Sequence, residues 1–180
     1  MAVAEKSPEM ETSSRLEQLF WAHHDRVLRA AYRITGNMAD AEDVAQAVFL
    51  KLAGDGIPQM DKAESYLYRA AINAALDQLR RKRADREVGL ELVSDLASRS
   101  VGDSPEHRLA DDQLRSRLRQ ALSGLSPRTA EMFVLRYIEE LDNREIARLV
   151  GTSHAVVAVM LHHARARLKK QFRNFLRGER

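Results

Sequence analysis

Cysteine is absent from the 180 residues. That excludes disulfides, thiolate zinc sites and thiol redox switches. Glycine and proline number only eight and four, and runs of β-branched residues are scarce. Little therefore interrupts helices and little favours strands, so an all-α fold is expected. No apolar run approaches the roughly 20 residues of a membrane span, and the N-terminus lacks the charged-then-apolar layout of a signal peptide. No membrane insertion and a cytoplasmic location are expected. Also missing are a glycine-rich phosphate loop, paired acids in an apolar setting and a nucleophile–histidine set, so no catalytic residue and no cofactor is expected and the chain does not read as an enzyme. His23 and His24 are adjacent. On a helix such side chains point about 100° apart, and without a third ligand they make no metal site.

What is present is a polar, helix-forming chain, 44% hydrophobic and 31% charged. The net charge of +3 and the pI near 9.4 would not identify a nucleic-acid binder. The distribution is more telling, because bases cluster at 80–83 and 165–173, at the ends of predicted helices.

Two adjacent stretches organise the chain. Residues 40–52 read DAEDVAQAVFLKL, with Ala41, Val44, Ala45, Val48, Phe49 and Leu52 on one face at helical spacing. A second stripe carries Asp43, Gln46, Ala47 and Leu50. An acid, an amide, a small residue and a leucine suit a docking strip better than a solvated face. Residues 65–83 read SYLYRAAINAALDQLRRKR, with Tyr68, Ile72, Ala75, Leu76 and Leu79 as core. Beside that core lie Tyr66, Arg69, Asn73, Asp77 and Arg80, and the stretch ends in Arg80-Arg81-Lys82-Arg83. An aromatic, an amide and a cationic end fit a helix laid against nucleic acid. Plainer origins exist: first-turn acids and last-turn bases complement the helix macrodipole, and basic runs commonly form solvated faces. The weight lies in the combination.

Residues 1–12 are polar and unpatterned, a predicted disordered tail. A helix is predicted from Ser13, buried through Leu16, Leu19, Phe20, Val27, Leu28, Ala31 and Ile34, and ended by Gly36-Asn37. Gly54, Gly56 and Pro58 force a loop over 54–61. It is either a plain connector or a specificity loop that cradles an unstacked base. The pattern fades over 84–104, a predicted linker. Periodicity resumes at Pro105 through Leu109, Leu114, Leu118, Ala121 and Leu122, and Ser126-Pro127 opens the next helix, which carries Met132, Phe133 and Leu135. Glu139-Glu140 reads as a solvated helix end. Asp142 or Asn143 caps a short helix to Val150, Gly151 turns, and Ser153 caps a long helix with Val157, Leu161, Ala164 and Leu168 inward. That layout is a helix-turn-helix, whose second helix enters the major groove.

With these segments in view, the chain resembles a bacterial RNA polymerase sigma factor of the extracytoplasmic function group, within the sigma-70 family. The matching segments are DAEDVAQAVFLKL with SYLYRAAINAALDQLRRKR, then LSPRTAEMFVLRYIEELDNREIARLVGTS with LHHARARLKK. The resemblance implies a region-2 bundle at 13–83, a flexible linker at 84–104 and a region-4 helix-turn-helix domain at 105–175. It implies core RNA polymerase as a partner, through the β′ clamp helices and the β flap, together with promoter DNA and an anti-sigma factor. By position, Asp43, Gln46, Ala47 and Leu50 fall where the family docks on the clamp helices. Tyr66, Arg69, Asn73, Arg80 and Arg81 fall where it meets and melts the minus-ten element. Ser153, His154, Ala155, Ala158, Val159, His162 and Arg165 fall on the helix that reads the minus-thirty-five element.

One departure stands out. Where family members often carry Thr-Val-Lys-Ser-Arg, this chain reads Val156-Val157-Ala158-Val159-Met160. The predicted outward residues Ala155, Ala158 and Val159 can touch thymine methyls but offer no hydrogen bond to a base edge. Either the upstream element is read weakly or by shape, or this face binds protein. Two rival functions follow from the residues: an interaction protein that occupies polymerase or an antagonist without directing initiation, and a conventional helix-turn-helix regulator. The first is motivated by the apolar helix face. The second has no need of the N-terminal half.

Overall fold

Three long helices form the N-terminal bundle because each carries an apolar stripe that the others cover. The computed structural model describes residues 8–55, 60–87 and 105–178. α1 spans Pro8–Thr35, α2 Met38–Asp55 and α3 Met60–Glu87, and they pack pairwise. The predicted core of α2 is buried in full, as are Leu19, Val27, Ala31 and Ile34 of α1. On α3, Tyr68, Ile72, Ala75 and Leu76 are buried, joined by Ala63, Leu67 and Ala71. Those three widen the stripe because α3 is covered on more than one side.

The α1–α2 corner is set by local chemistry. Gly36 sits at φ 70, a left-handed conformation that costs a glycine nothing. Asn37 caps α2, its side-chain oxygen accepting from the Asp40 amide at 3.2 Å.

Helix limits differ from those the sequence pattern predicts. α1 begins at Pro8, inside the predicted tail, since a proline followed by Glu9 and Glu11 suits a first helical turn; residues 1–7 lie outside the described residues. α3 runs through Glu87, four residues past the end of the predicted basic run at Arg83. Residues 88–104, and residues 56–59 of the candidate base-capturing loop, lie outside the described residues.

The C-terminal unit comprises α4 (Pro105–Ser123), α5 (Pro127–Tyr137), α6 (Asn143–Val150) and α7 (His154–Gly178). Leu122, Met132, Leu135, Ile146, Val157, Leu161, Ala164 and Leu168 build its core. Leu114, predicted inward, is 56% exposed, because α4 meets its neighbours through Leu118, Ala121 and Leu122 nearer its C-terminal end. Asp142, not Asn143, caps α6 with a complete capping box, and Gly151 turns at φ 69. The amide of Val156 donates to Ser153 Oγ at 3.3 Å, as a cap of α7 requires.

The two units do not stand apart. α3 packs against both α4 and α5, and Arg119 of α4 lies so close over Gly36 that a Cβ there would run into its guanidinium.

Candidate nucleic-acid interface

On α2 the second stripe is solvent-facing from end to end: Asp43, Gln46 and Ala47 are exposed, and Leu50 is 65% exposed. The strip therefore takes no part in the bundle's own packing. Ala47 and Lys51 of α2, and Tyr66, Arg69, Asn73, Asp77 and Arg81 of α3, line one open cleft of about 1110 Å³. Across it stand Leu141, Glu145, Arg148 and Leu149. Of the predicted docking strip Ala47 reaches this cleft, where it meets the predicted strand-holding flank; Asp43, Gln46 and Leu50 lie outside its lining.

The basic run at the end of α3 is partly spent within the protein. Lys82 Nζ donates to Asp40 Oδ2 at 2.8 Å and Gln78 Nε2 to Asp40 Oδ1 at 3.0 Å. Asp40 therefore clamps α2 to α3, a larger role than complementing a dipole. Arg80 pairs with Asp77 at 2.6 Å, and Arg83 lies against Gly124 of the α4–α5 turn. Arg81 is exposed and opens on the cleft.

The middle of the flank is occupied. Glu131 of α5 is 4% exposed; its Oε1 accepts from Arg69 Nε at 2.8 Å and from Asn73 Nδ2 at 3.1 Å. A second link joins the same two units, Arg33 Nη1 to Glu139 Oε2 at 2.7 Å. Glu139 is no solvated helix end: its side chain is 6% exposed. The chain reverses just after it, with Leu141 N bonding back to Leu135 O at 3.0 Å and Glu140 held at φ 59. The Tyr68 hydroxyl meets the same carboxylate; burial, and then that contact, push the phenol well above its ordinary value. The Arg26 guanidinium sits over the Tyr68 ring, 4.8 Å from its centroid.

In the helix-turn-helix, the cap residue Ser153 and His154, Ala155, Val159, His162 and Arg165 of α7 are exposed and Ala158 is half-buried. Arg136, Arg144, His154 and Arg165 converge around a second cleft of about 630 Å³ that Ala158 floors. The outward surface of α7 is therefore apolar at its centre, at Val156 and Val159, and basic at its edges. Phosphate contacts of the edge position a helix on duplex without specifying sequence.

Two family models match this chain: sigma-70 region 2 over residues 19–85 and sigma-70 region 4 over residues 115–168. It is 30% identical to the ECF RNA polymerase sigma factor SigW of Bacillus subtilis, covering 84% of this chain and 86% of that one. The chain belongs to the extracytoplasmic function group of sigma factors. It is also 33% identical to the RNA polymerase sigma-E factor of Streptomyces avermitilis, over 86% of this chain and 83% of the other. Among solved structures it is similar in fold to the sigma factor RpoE of Bartonella quintana, solved in complex with the anti-sigma factor NepR, with TM-score 0.50, 17% identity and coverage of 87% and 96%.

As a sigma factor, the protein binds core RNA polymerase and promoter DNA and directs promoter-specific initiation. Its relatives favour that function over the interaction-protein and conventional-regulator readings. Sigma factors are non-enzymatic regulators. No helix among the described residues is long and apolar enough to cross a membrane.

Of the residues singled out from sequence, Asp43, Gln46, Ala47 and Leu50 form one exposed strip, and Tyr66, Arg69, Asn73 and Arg81 share the cleft. Arg80 does not line it. Sequence reasoning missed Glu131, Glu139 and Arg33, which join the two sigma regions. Glu131 left one faint signal: it lies on α5 among Thr129, Ala130, Met132 and Phe133, all of them buried, where a charge needs a partner.

Proposed function

We propose that the exposed strip of α2 docks on the β′ clamp helices of core polymerase while the neighbouring flank of α3 holds the separated minus-ten strand. The carrying observation is that an exposed strip with no part in the bundle's packing lies on α2, beside the α3 flank that lines the cleft, on helices clamped together by Asp40. Leu50 supplies the apolar anchor, with Asp43 and Gln46 as polar contacts around it. Tyr66 offers a face for stacking, Arg69 and Asn73 hydrogen bonds to the strand, and Arg81 a phosphate contact. Arg80 acts through its pairing with Asp77, by fixing the flank.

Region 2 corresponds to the N-terminal bundle and region 4 to α4–α7, where α7 meets the upstream element. Its apolar centre suits thymine methyls and its basic rim suits phosphates. Region 4 also meets the β flap. The polymerase carries out the chemistry and the chain itself has no catalytic role. The chain works in the cytoplasm, and an anti-sigma factor covers these surfaces when initiation is off.

Run-off transcription on genomic fragments with core polymerase tests this reading. Discrete start sites that vanish when the minus-ten segment is scrambled are expected. Starts indifferent to that segment would overturn the assignment of α3.

A further inference from the structure

We propose that region 4 reads its upstream element through thymine methyl groups, selecting adjacent A·T pairs and rejecting guanine at the centre of the contact. The inference rests on the placement of α7 in the major groove of that element. Ala155, Val156 and Val159 are exposed in the first two turns of α7, Val156 by 40% and Val159 by 55%, and Ala158 is half-buried beside them. The buried side of the same helix is built from Val157, Leu161, Ala164 and Leu168. Residues 155, 158 and 159 stand at i, i+3 and i+4, so they form one ridge. The first turns of a recognition helix are the part that reaches base edges.

The chemistry of that ridge limits what it can read. From Ala155 to Val159 no side chain carries a hydrogen-bond donor or acceptor. A guanine facing the ridge would lose water from N7 and O6 and gain no partner in return. The C5-methyl of thymine is the apolar group that the major groove presents, and alanine and valine side chains can cover it. Discrimination then has two sources: methyl burial favours thymine, and unpaired acceptors disfavour guanine.

Charge identifies the occupant of this face as duplex DNA. α7 carries no acidic residue along its whole length. Arg136, Arg144, His154 and Arg165 gather around the cleft that Ala158 floors, and Arg167 is exposed further along the helix. Asp142, the one carboxylate in that lining, is engaged as the cap of α6 by the amides of Arg144 and Glu145. An apolar ridge inside a cationic rim matches base edges flanked by phosphates.

Holoenzyme assembled from the full chain and core RNA polymerase tests this on duplex promoter fragments whose upstream segment is randomised. Bound fragments are expected to carry adjacent thymines on one strand at the centre of that segment. Deoxyuridine in place of each such thymidine removes only the methyl, and is expected to weaken binding about fourfold per methyl. Val159→Ala is expected to blunt that sensitivity at one position, and Val159→Arg to move the preference there to guanine. Arg144→Ala with Arg165→Ala is expected to weaken binding to all sequences alike and to flatten its salt dependence. A selected element centred on guanine, or uracil fragments bound as tightly as thymine ones, would overturn the methyl readout. If the arginine pair still weakens binding in that case, α7 remains on the upstream element. If neither deoxyuridine nor the arginine pair alters binding, the placement of α7 fails as well and its apolar face is left to a protein partner.

Discussion

At the scale of single residues, the most consequential groups are carboxylates, each set by a different environment. Asp142 is solvated, yet it accepts from the Glu145 and Arg144 amides at 2.8 and 2.7 Å. Those bonds, that of Glu145 foremost, hold it below the usual carboxylate range. The folded value is the lower one, so the cap stabilises above the unfolded carboxylate range and loses its contribution as pH falls through the folded value. Asp142→Ala is therefore expected to lower the melting temperature near neutral pH. The gap from the parent should close as pH drops below about 4. Thermal unfolding followed by circular dichroism across that range checks it; a gap of constant size would contradict the capping account. A cap at Asp142 or Asn143 was legible from their place before a short amphipathic run, and the structure selects Asp142. The roles of Glu131 and Glu139 were not: their partners are Arg69, Asn73 and Arg33, far away in sequence, and a local pattern carries no record of a long-range pair.

Among elements, periodicity was the reliable guide where a helix has a single covered face. α2 shows this most clearly, with every predicted core position buried and every second-stripe position exposed. It failed where coverage depends on a distant partner. Leu114 keeps helical spacing on α4 but is left 56% exposed by the described residues, whereas Leu67 and Ala71 of α3 are covered because α3 is buried on additional sides. Packing and spacing therefore imply different costs. Leu76→Ala, at a fully buried position, is expected to cost about 2–5 kcal/mol in denaturant unfolding. Leu114→Ala is expected to stay within about 0.5 kcal/mol. Similar losses at the two sites would mean that α4 buries Leu114 in solution. Helix ends were less legible than helix bodies, as α1 and α3 both outrun their predicted limits. Acidic and basic residues can extend a helix as readily as they can leave it.

In the whole molecule, two sigma regions that sequence presents as beads on a linker are joined face to face by Arg69–Glu131 and Arg33–Glu139. This arrangement leaves the α2 strip open and the centre of the α3 flank covered. On the proposed roles, the exposed α2 strip is the docking surface of region 2. Family membership was readable from two ordered motifs, but the closure was not, because it depends on how the domains meet and not on what each contains.

Equilibrium binding of the labelled full chain to purified core RNA polymerase, free of any inhibitor, tests that scheme most directly. The parent chain is expected to bind, and Leu50→Asp, with unchanged helicity, is expected to lose that binding. A Leu50→Asp chain that binds core polymerase as the parent does would contradict the docking role of α2.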